Sequence, residues 1–457
     1  MTRDLTRGPV LRSMLRFAVP MILGDLLQQC YNIADTLIVG RVLGRDALAA
    51  VGSSFTLMTF LTSVLLGLCM GSGALFSIRF GQRDEQGLRE NLCASFVFTA
   101  AAAALLTGAA FACLDLLRSF LQVPTEAVWR AMRAYLFVIF WGIPATFLYN
   151  FFASYLRALG NSLTPLIFLA VSAVLNIALD LWFVIGLGRG VGGAAEATVL
   201  AQYVSGLGIA AYTLLTVPQA RCVLHLRSLR RRRVREVVSF SVLTCLQQSV
   251  MNLGILMVQG LINSFGAVVM AAFAAAVKID AFAYMPMQDF GNAFSTFIAQ
   301  NYGAKESARI RAGMKGAIAV AAVFCVAVSA VICIFAQPLM ALFVDAAEME
   351  VLREGVRYLR IEGAFYCGIG CLFLLYGLYR ALGRPGMSMV LTVASLGTRV
   401  ALAYLLSAIE SVGVVGIWWS VPIGWVLADT VGLLYFRLRK KQLLPAAAEA
   451  ETAKPVS

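Results

Sequence analysis

Val171 to Phe183 reads VSAVLNIALDLWF, an apolar, helix-length run interrupted by Asn176 and Asp180. As part of a membrane span it puts a carboxylate where lipid would lie, at a cost of about 2.5–3.5 kcal/mol for an ionised Asp at mid-helix. Such a residue is tolerated only against protein or water. Asn176 and Asp180 are four residues apart and share one helical face. The pair is expected to be half of a cation or proton site, with its other half elsewhere in the chain.

The surrounding composition supports the membrane reading. The 457 residues are 60% hydrophobic and 13% charged, with a mean hydropathy of +0.82, which leaves too little polar surface for a soluble globule of this size. Apolar runs fall near 17–39, 47–76, 92–116, 135–156, 163–186, 194–217, 237–262, 267–299, 316–343, 358–379, 387–408 and 414–436. They predict an all-α polytopic membrane protein of twelve transmembrane helices. The net charge of +13 sits mostly in short segments between these runs, so topology explains it and nucleic acid is not an expected partner. With the N-terminus inside, inner segments hold 26 Lys and Arg against 9 in outer ones, which predicts that both termini are cytoplasmic. Arg3, Arg7, Arg12 and Arg16 precede a polar-studded run without a signal-peptide core or cleavage site, so a retained first helix is expected.

Catalytic chemistry finds little support. The ten cysteines form no paired CxxC motifs, and the single histidine, His225, lies in a basic segment. No histidine-based triad or metal cluster can be assembled from these residues, so neither an enzyme nor a bound cofactor is expected.

The chain repeats itself. Ala49, Ala50 and Gly81 stand 222 residues before Ala271, Ala272 and Gly303, and the RALG runs at Arg157 and Arg380 are offset by 223, as are Gly190 and Gly413. This predicts two pseudo-symmetric six-helix bundles, parallel repeats about an axis along the membrane normal. The expected divisions are an N-terminal bundle over 1–217, a basic cytoplasmic linker over 218–236, a C-terminal bundle over 237–437 and a cytoplasmic tail over 438–457.

Polar residues inside the spans locate candidate sites. In the first span Asp25, Gln28, Gln29, Asn32, Asp35 and Thr36 recur every three to four residues, a stripe that must face water or another helix. Counted from the inner ends of their spans, Asp35 and Asp180 lie at matched depth, and Thr198 of the sixth span comes in at the same level from outside. Asp35, Asn176, Asp180 and Thr198 are therefore expected to form a site that binds a monovalent cation or shares a proton. Glu196, near the interface, is expected to be structural. In the eighth span Asp280, Tyr284, Gln288 and Asn292 follow at spacings of four, a polar wall suited to organic cations. Arg399 and Asp429, on the last two spans, are expected to neutralise one another. Pro20, below the acids of the first span, permits a bend there.

The runs PMILGDLLQQCYNIADTLIVGRVLG, RALGN, RALGR, NIALD and GVGGAAEATVLAQ resemble the MATE family, the multidrug and toxic compound extrusion transporters, over residues 10 to 437. The resemblance implies two bundles forming a V, and a secondary active antiporter that exports amphipathic, often cationic drugs or toxic compounds in exchange for protons or sodium ions. It implies a coupling site at Asp35, Asn176, Asp180 and Thr198, substrate contacts at Gln28, Tyr31 and Asn150, and a hinge at Pro20. Some family members use carboxylates on the seventh and tenth spans; here the seventh is neutral and the tenth has only Glu362, so no matching acid pair is expected in the second half. A monomer in the plasma (inner) membrane of a prokaryote is expected. The alternative, a flippase for lipid-linked oligosaccharides or lipids, calls for basic cavity walls rather than acids and amides.

Overall fold

The computed structural model describes residues 4–116, 118, 126–224, 230–345 and 348–444. His225 and the tail beyond residue 444 lie outside them. Among the described residues there are helices and turns but no strand.

Six helices make the first bundle: α1 Val10–Leu43, α2 Arg45–Gly81, α3 Glu85–Ala112, α4 Glu126–Ile139 continued by a tight turn into Ile143–Ala158, α5 Leu163–Asp180 and α6 Gly190–Thr216. The second bundle follows as α7 Arg231–Asn263, α8 Ala267–Gly303, α9 Ser307–Met340, α10 Met349–Gly363 with Tyr366–Ala381, α11 Pro385–Ser407 and α12 Val414–Leu443. Ten of these pass as membrane spans by length and composition, and the two parts of α10 make an eleventh, bent by 51°. Helix α1, which carries the polar stripe, is the remaining one. With it, the order of helices matches the twelve expected spans.

Several details depart from a reading by hydropathy. The tight turn Phe140–Gly142 in α4 precedes Pro144, which has no N–H to offer the Phe140 carbonyl. The tenth span, expected as one run from 358, begins at Met349 and bends beyond Gly363, which packs closely on Ile332 of α9. Helix α1, by contrast, runs unbroken through Pro20. Arginines expected in a linker form the first turn of α7, where side chains of the first bundle reach it: Glu90 pairs with Arg233 at 3.0 Å, and Arg79 pairs with Glu236 of α7 at 2.6 Å.

The repeat extends to backbone conformation. Left-handed φ angles recur at matched positions: Gly44 (86°) and Gly266 (96°), Arg83 (56°) and Lys305 (59°), Gly160 (81°) and Gly383 (75°), Gly190 (63°) and Gly413 (52°). Two non-glycine residues in that region at equivalent turns are uncommon, and a shared turn geometry explains both. The lobes meet about the same axis. Gly81 lies on the backbone of Gln300 while its counterpart Gly303 lies on that of Ile78.

Each lobe has its own apolar core, and α1 takes part in both. Met14, Phe17 and Met21 pack into the second core, whereas Val39 belongs to the first. The lobes are joined at the end that carries residues 4–9. There Gln300 Nε2 donates to the Ala158 carbonyl at 2.7 Å and its Oε1 accepts from the Leu5 N–H at 3.0 Å, while Arg309 holds the carbonyls of Leu5 at 3.0 Å and Gly8 at 2.8 Å. Helix α2 is nearly all buried from Gly67 to Ile78, and becomes exposed at Phe55 and Phe60 toward the other end, as α7 does at Leu253 and Met257. The result is a V closed at one end and open at the other.

Glycine permits the closure. A Cβ on Gly71 would lie 2.5 Å from the Phe240 carbonyl oxygen and 2.6 Å from Ser241 Cα, so α2 and α7 touch backbone to backbone, as small residues allow in membranes. Gly71→Ala is expected to force the helices apart at a cost of about 1–3 kcal/mol, seen as a lower melting temperature of the detergent-purified protein. An unchanged melting temperature would contradict this packing.

Candidate functional site

Helix rise sets the depth of each polar residue, and packing of α1 against α5 and of α5 against α6 sets their meeting. The Asp35 carboxyl on α1 and the Asp180 carboxyl on α5 stand side by side. Asp180 is fully buried. Both of its oxygens, and Oδ1 of Asp35, lack a hydrogen-bond donor among the described residues. One turn before Asp180, Asn176 Nδ2 donates to Thr198 Oγ1 at 3.2 Å, and the Thr198 hydroxyl is itself spent on the Ala194 carbonyl at 3.0 Å. Asn176 Oδ1 is thereby left without a donor as well.

Two contacts, Asp35 with Asp180 and Asn176 with Thr198, thus lie one turn apart along α5, and Asp35, Asn176 and Asp180 carry acceptor oxygens without a donor among the described residues. Two ionised carboxylates at close range in a low-dielectric site repel each other, so the arrangement calls for a proton or a small cation between them. Two tyrosines complete the site. Tyr31 lies one turn from Asp35, next to Gln28, and Tyr135 of α4 faces both acids. Spacing along the chain does not single out Tyr135, since an aromatic residue in an apolar span reads as core. A π-helical turn, Leu181–Gly186, begins directly after Asp180, and such turns are frequent at functional sites. Beyond it Arg189 pairs with Glu196 at 2.5 Å and covers the Phe183 ring, which gives Glu196 the structural part expected of it.

The second lobe holds a second acid pair, contrary to expectation. Asp280 of α8 accepts a hydrogen bond from the Tyr366 hydroxyl of α10 at 2.5 Å, and Glu362 of α10, 2% exposed, lies near it with Tyr358 bonded to its carboxyl. Arg399 faces these two acids rather than Asp429, which instead sits against the Cys371 thiol. Rotation of α11 about its own axis decides this, and spacing along a helix does not reveal it.

The proposed substrate residues are dispersed. Gln28, Tyr31 and Asn150 are half-buried, with Asn150 Nδ2 held by the Thr146 carbonyl at 2.9 Å. On α8, Asp280 is buried against α10 while Tyr284 and Gln288 are half-buried, so the stripe is not one open wall. Among the described residues no group of three or more His, Cys, Asp or Glu is placed to hold a metal ion.

Comparison with known proteins agrees with this architecture. The MatE family pattern matches residues 20–182 and 241–405. A probable multidrug resistance protein of Bacillus subtilis, YpnP, is 30% identical over 95% of this chain and 96% of its own. An FAD transporter of Shewanella oneidensis is 24% identical over 92% of each chain. Among solved structures, a transporter of the MOP superfamily from Pyrococcus furiosus superposes with a TM-score of 0.88 at 25% identity, covering 96% of this chain and 98% of that one. Proteins of this kind are transporters rather than enzymes. A family pattern that spans both halves of the repeat, on a fold shared with solved members, makes this chain a multi-pass membrane transporter of the MatE family.

Proposed function

We propose that the protein is a secondary active antiporter that exports amphipathic, often cationic compounds in exchange for protons or sodium ions, with Asp35 and Asp180 as the coupling pair. The observation that carries this is the adjacent carboxyls of half-buried Asp35 and buried Asp180, three of whose oxygens find no donor among the described residues. A proton or cation neutralises the pair, and its departure restores a repulsion that favours a different packing of α1 against α5. Asn176 and Thr198 set the geometry of α5 against α6, so Asp180 is held in place while Asp35 moves with α1.

Helix α1 is suited to be the moving part, since its two halves belong to different cores and Pro20 lies between Phe17 and Met21 on the half gripped by the second lobe. Gln28, Tyr31, Asn150, Tyr284 and Gln288 are the proposed recognition groups for substrate, polar points in surroundings otherwise lined by apolar side chains. The closed end is taken as cytoplasmic, following the excess of Lys and Arg there, and the membrane as the inner membrane of a prokaryote. A single chain already supplies both lobes of the V, so a monomer suffices. The names of several relatives, among them multidrug resistance and multidrug export proteins, support the substrate class.

Asp180→Asn removes the charge but not the shape. It is expected to insert normally and to lower coupled efflux of a fluorescent lipophilic cation from proteoliposomes by about tenfold or more, the equivalent of about 1.4 kcal/mol or more of coupling. Wild-type efflux by this variant would overturn the assignment. In the same vesicles an imposed pH gradient or an imposed sodium gradient should drive efflux by the unaltered protein. Efflux that ignores both gradients would contradict antiport.

A further inference from the structure

A third set of charged groups lies where the lobes meet, at the floor of the V. Asp25 of α1 and Asp289 of α8 bring their carboxyls within hydrogen-bonding reach across the seam. Asp289 is 5% exposed, and its Oδ2 has no donor among the described residues. Arg157 of α4 faces the same carboxyl, and Asn292, one turn along α8, hydrogen-bonds to it. The Asn292 Oδ1 in turn accepts from Arg380 Nη2 of α10 at 2.9 Å, and Arg380 Nε reaches Ser295 Oγ at 3.4 Å. Arg157 Nε is buried without an acceptor among the described residues, and Tyr149 of α4 stands near both Arg157 and Asp25.

The repeat makes this arrangement conspicuous. Asp289 stands 222 residues after Gly67 and is its equivalent. In the first half Gly67 lets α2 rest on α7, where a Cβ would come within 2.6 Å of Cys245 Cα. At the matching crossing of α8 on α1 the glycine is replaced by an acid that meets another acid. Close packing alone gives no reason for that exchange.

We propose that Asp25 and Asp289 form a second proton-binding site, a carboxyl pair that shares one proton across the lobe seam, separate from Asp35 and Asp180. Two ionised carboxylates held at this range repel, whereas one shared proton turns the contact into a hydrogen bond. With that proton and the Arg157 guanidinium the two carboxyls carry no net charge, as their burial favours; Arg380 is engaged by Asn292 and lies behind it. Arg157 also repels a metal cation from the same oxygens, which makes the proton the occupant. Each lobe contributes one carboxyl, so occupancy is tied to lobe position: the shared proton holds the seam, and its loss leaves a repulsion that parts it. The α1 stripe connects the two acid pairs, since Tyr31 neighbours Asp35 and Gln28, and Tyr149 neighbours Tyr31 and Asp25. As a coupling device the pair depends on the exporter reading; as a proton site it does not.

Infrared difference spectroscopy of the full-length protein in lipid, titrated over pH, tests this. In an Asp35→Asn/Asp180→Asn parent a protonated-carboxyl band should still titrate. Adding Asp289→Asn should remove one carboxyl equivalent of it, while Asp289→Glu should retain it. Spin labels across the closed end should show a pH-dependent separation in the parent that is lost on adding Asp289→Asn. An unchanged band with Asp289→Asn would overturn the proposal, as would a band that shifts with sodium in place of choline. Failure of the exporter reading would appear in the efflux assay and leave this titration untouched.

Discussion

A carboxylate in a low-dielectric interior must be given a proton, a cation or a donor, and much of this molecule is arranged around acids that protein groups leave incomplete. Asp180 is fully buried with neither oxygen given a donor among the described residues, Asp35 lies beside it, and Asn176 and Thr198 spend their donors on each other and on backbone. The neighbouring arginine, Arg189, is committed to Glu196 and leaves the acids without a counter-ion among the described residues. The first-lobe site is therefore incomplete in its donors, and in the proposed mechanism a mobile charge completes it. Helix α1, which carries one of the two acids, is also the helix shared by both cores, so whatever fills the site acts on the element that joins the lobes.

The two halves share a backbone but not a charge pattern. Turns, left-handed residues and the Gly81 and Gly303 crossings repeat closely. The acids do not. In the first lobe the pair has no counter-ion among the described residues, whereas in the second Asp280 and Glu362 are met by Arg399 and by the hydroxyls of Tyr366 and Tyr358. A pair that already faces a guanidinium and two hydroxyls has less to gain from an added cation than one with none, and this difference favours coupling in the first lobe. At the seam the asymmetry is sharper still, with glycine on one side of the axis and Asp289 on the other. Duplication built the scaffold, and divergence of a few side chains placed the charges.

What is legible in the sequence follows from what one dimension encodes. Depth in the membrane is fixed by helix rise, so counting residues along each span is enough to bring Asp35, Asn176, Asp180 and Thr198 to one level. The repeat is legible because turns leave fixed spacings. What spacing does not encode is how each helix is rotated against its neighbours. Counting therefore pairs Arg399 with Asp429, whereas the side chain turns toward α8 and α10. Glu362, near the start of its expected span, is buried because α10 begins earlier and bends. Asp289 is hidden from spacing for a related reason. It sits one residue from Gln288, about 100° around the helix from the polar stripe and toward α1, so a count in steps of four passes over it.

The central claim is that the Asp35 and Asp180 carboxyls hold a proton or cation that cannot remain when a cationic substrate is bound. A carbodiimide modifies protonated carboxyls in apolar surroundings, so labelling in membrane vesicles at mildly acidic pH, read by peptide mass spectrometry with and without saturating tetraphenylphosphonium, addresses it directly. The account predicts label at Asp35 or Asp180 that the bound probe suppresses. Equal labelling of the pair with the probe bound would contradict it.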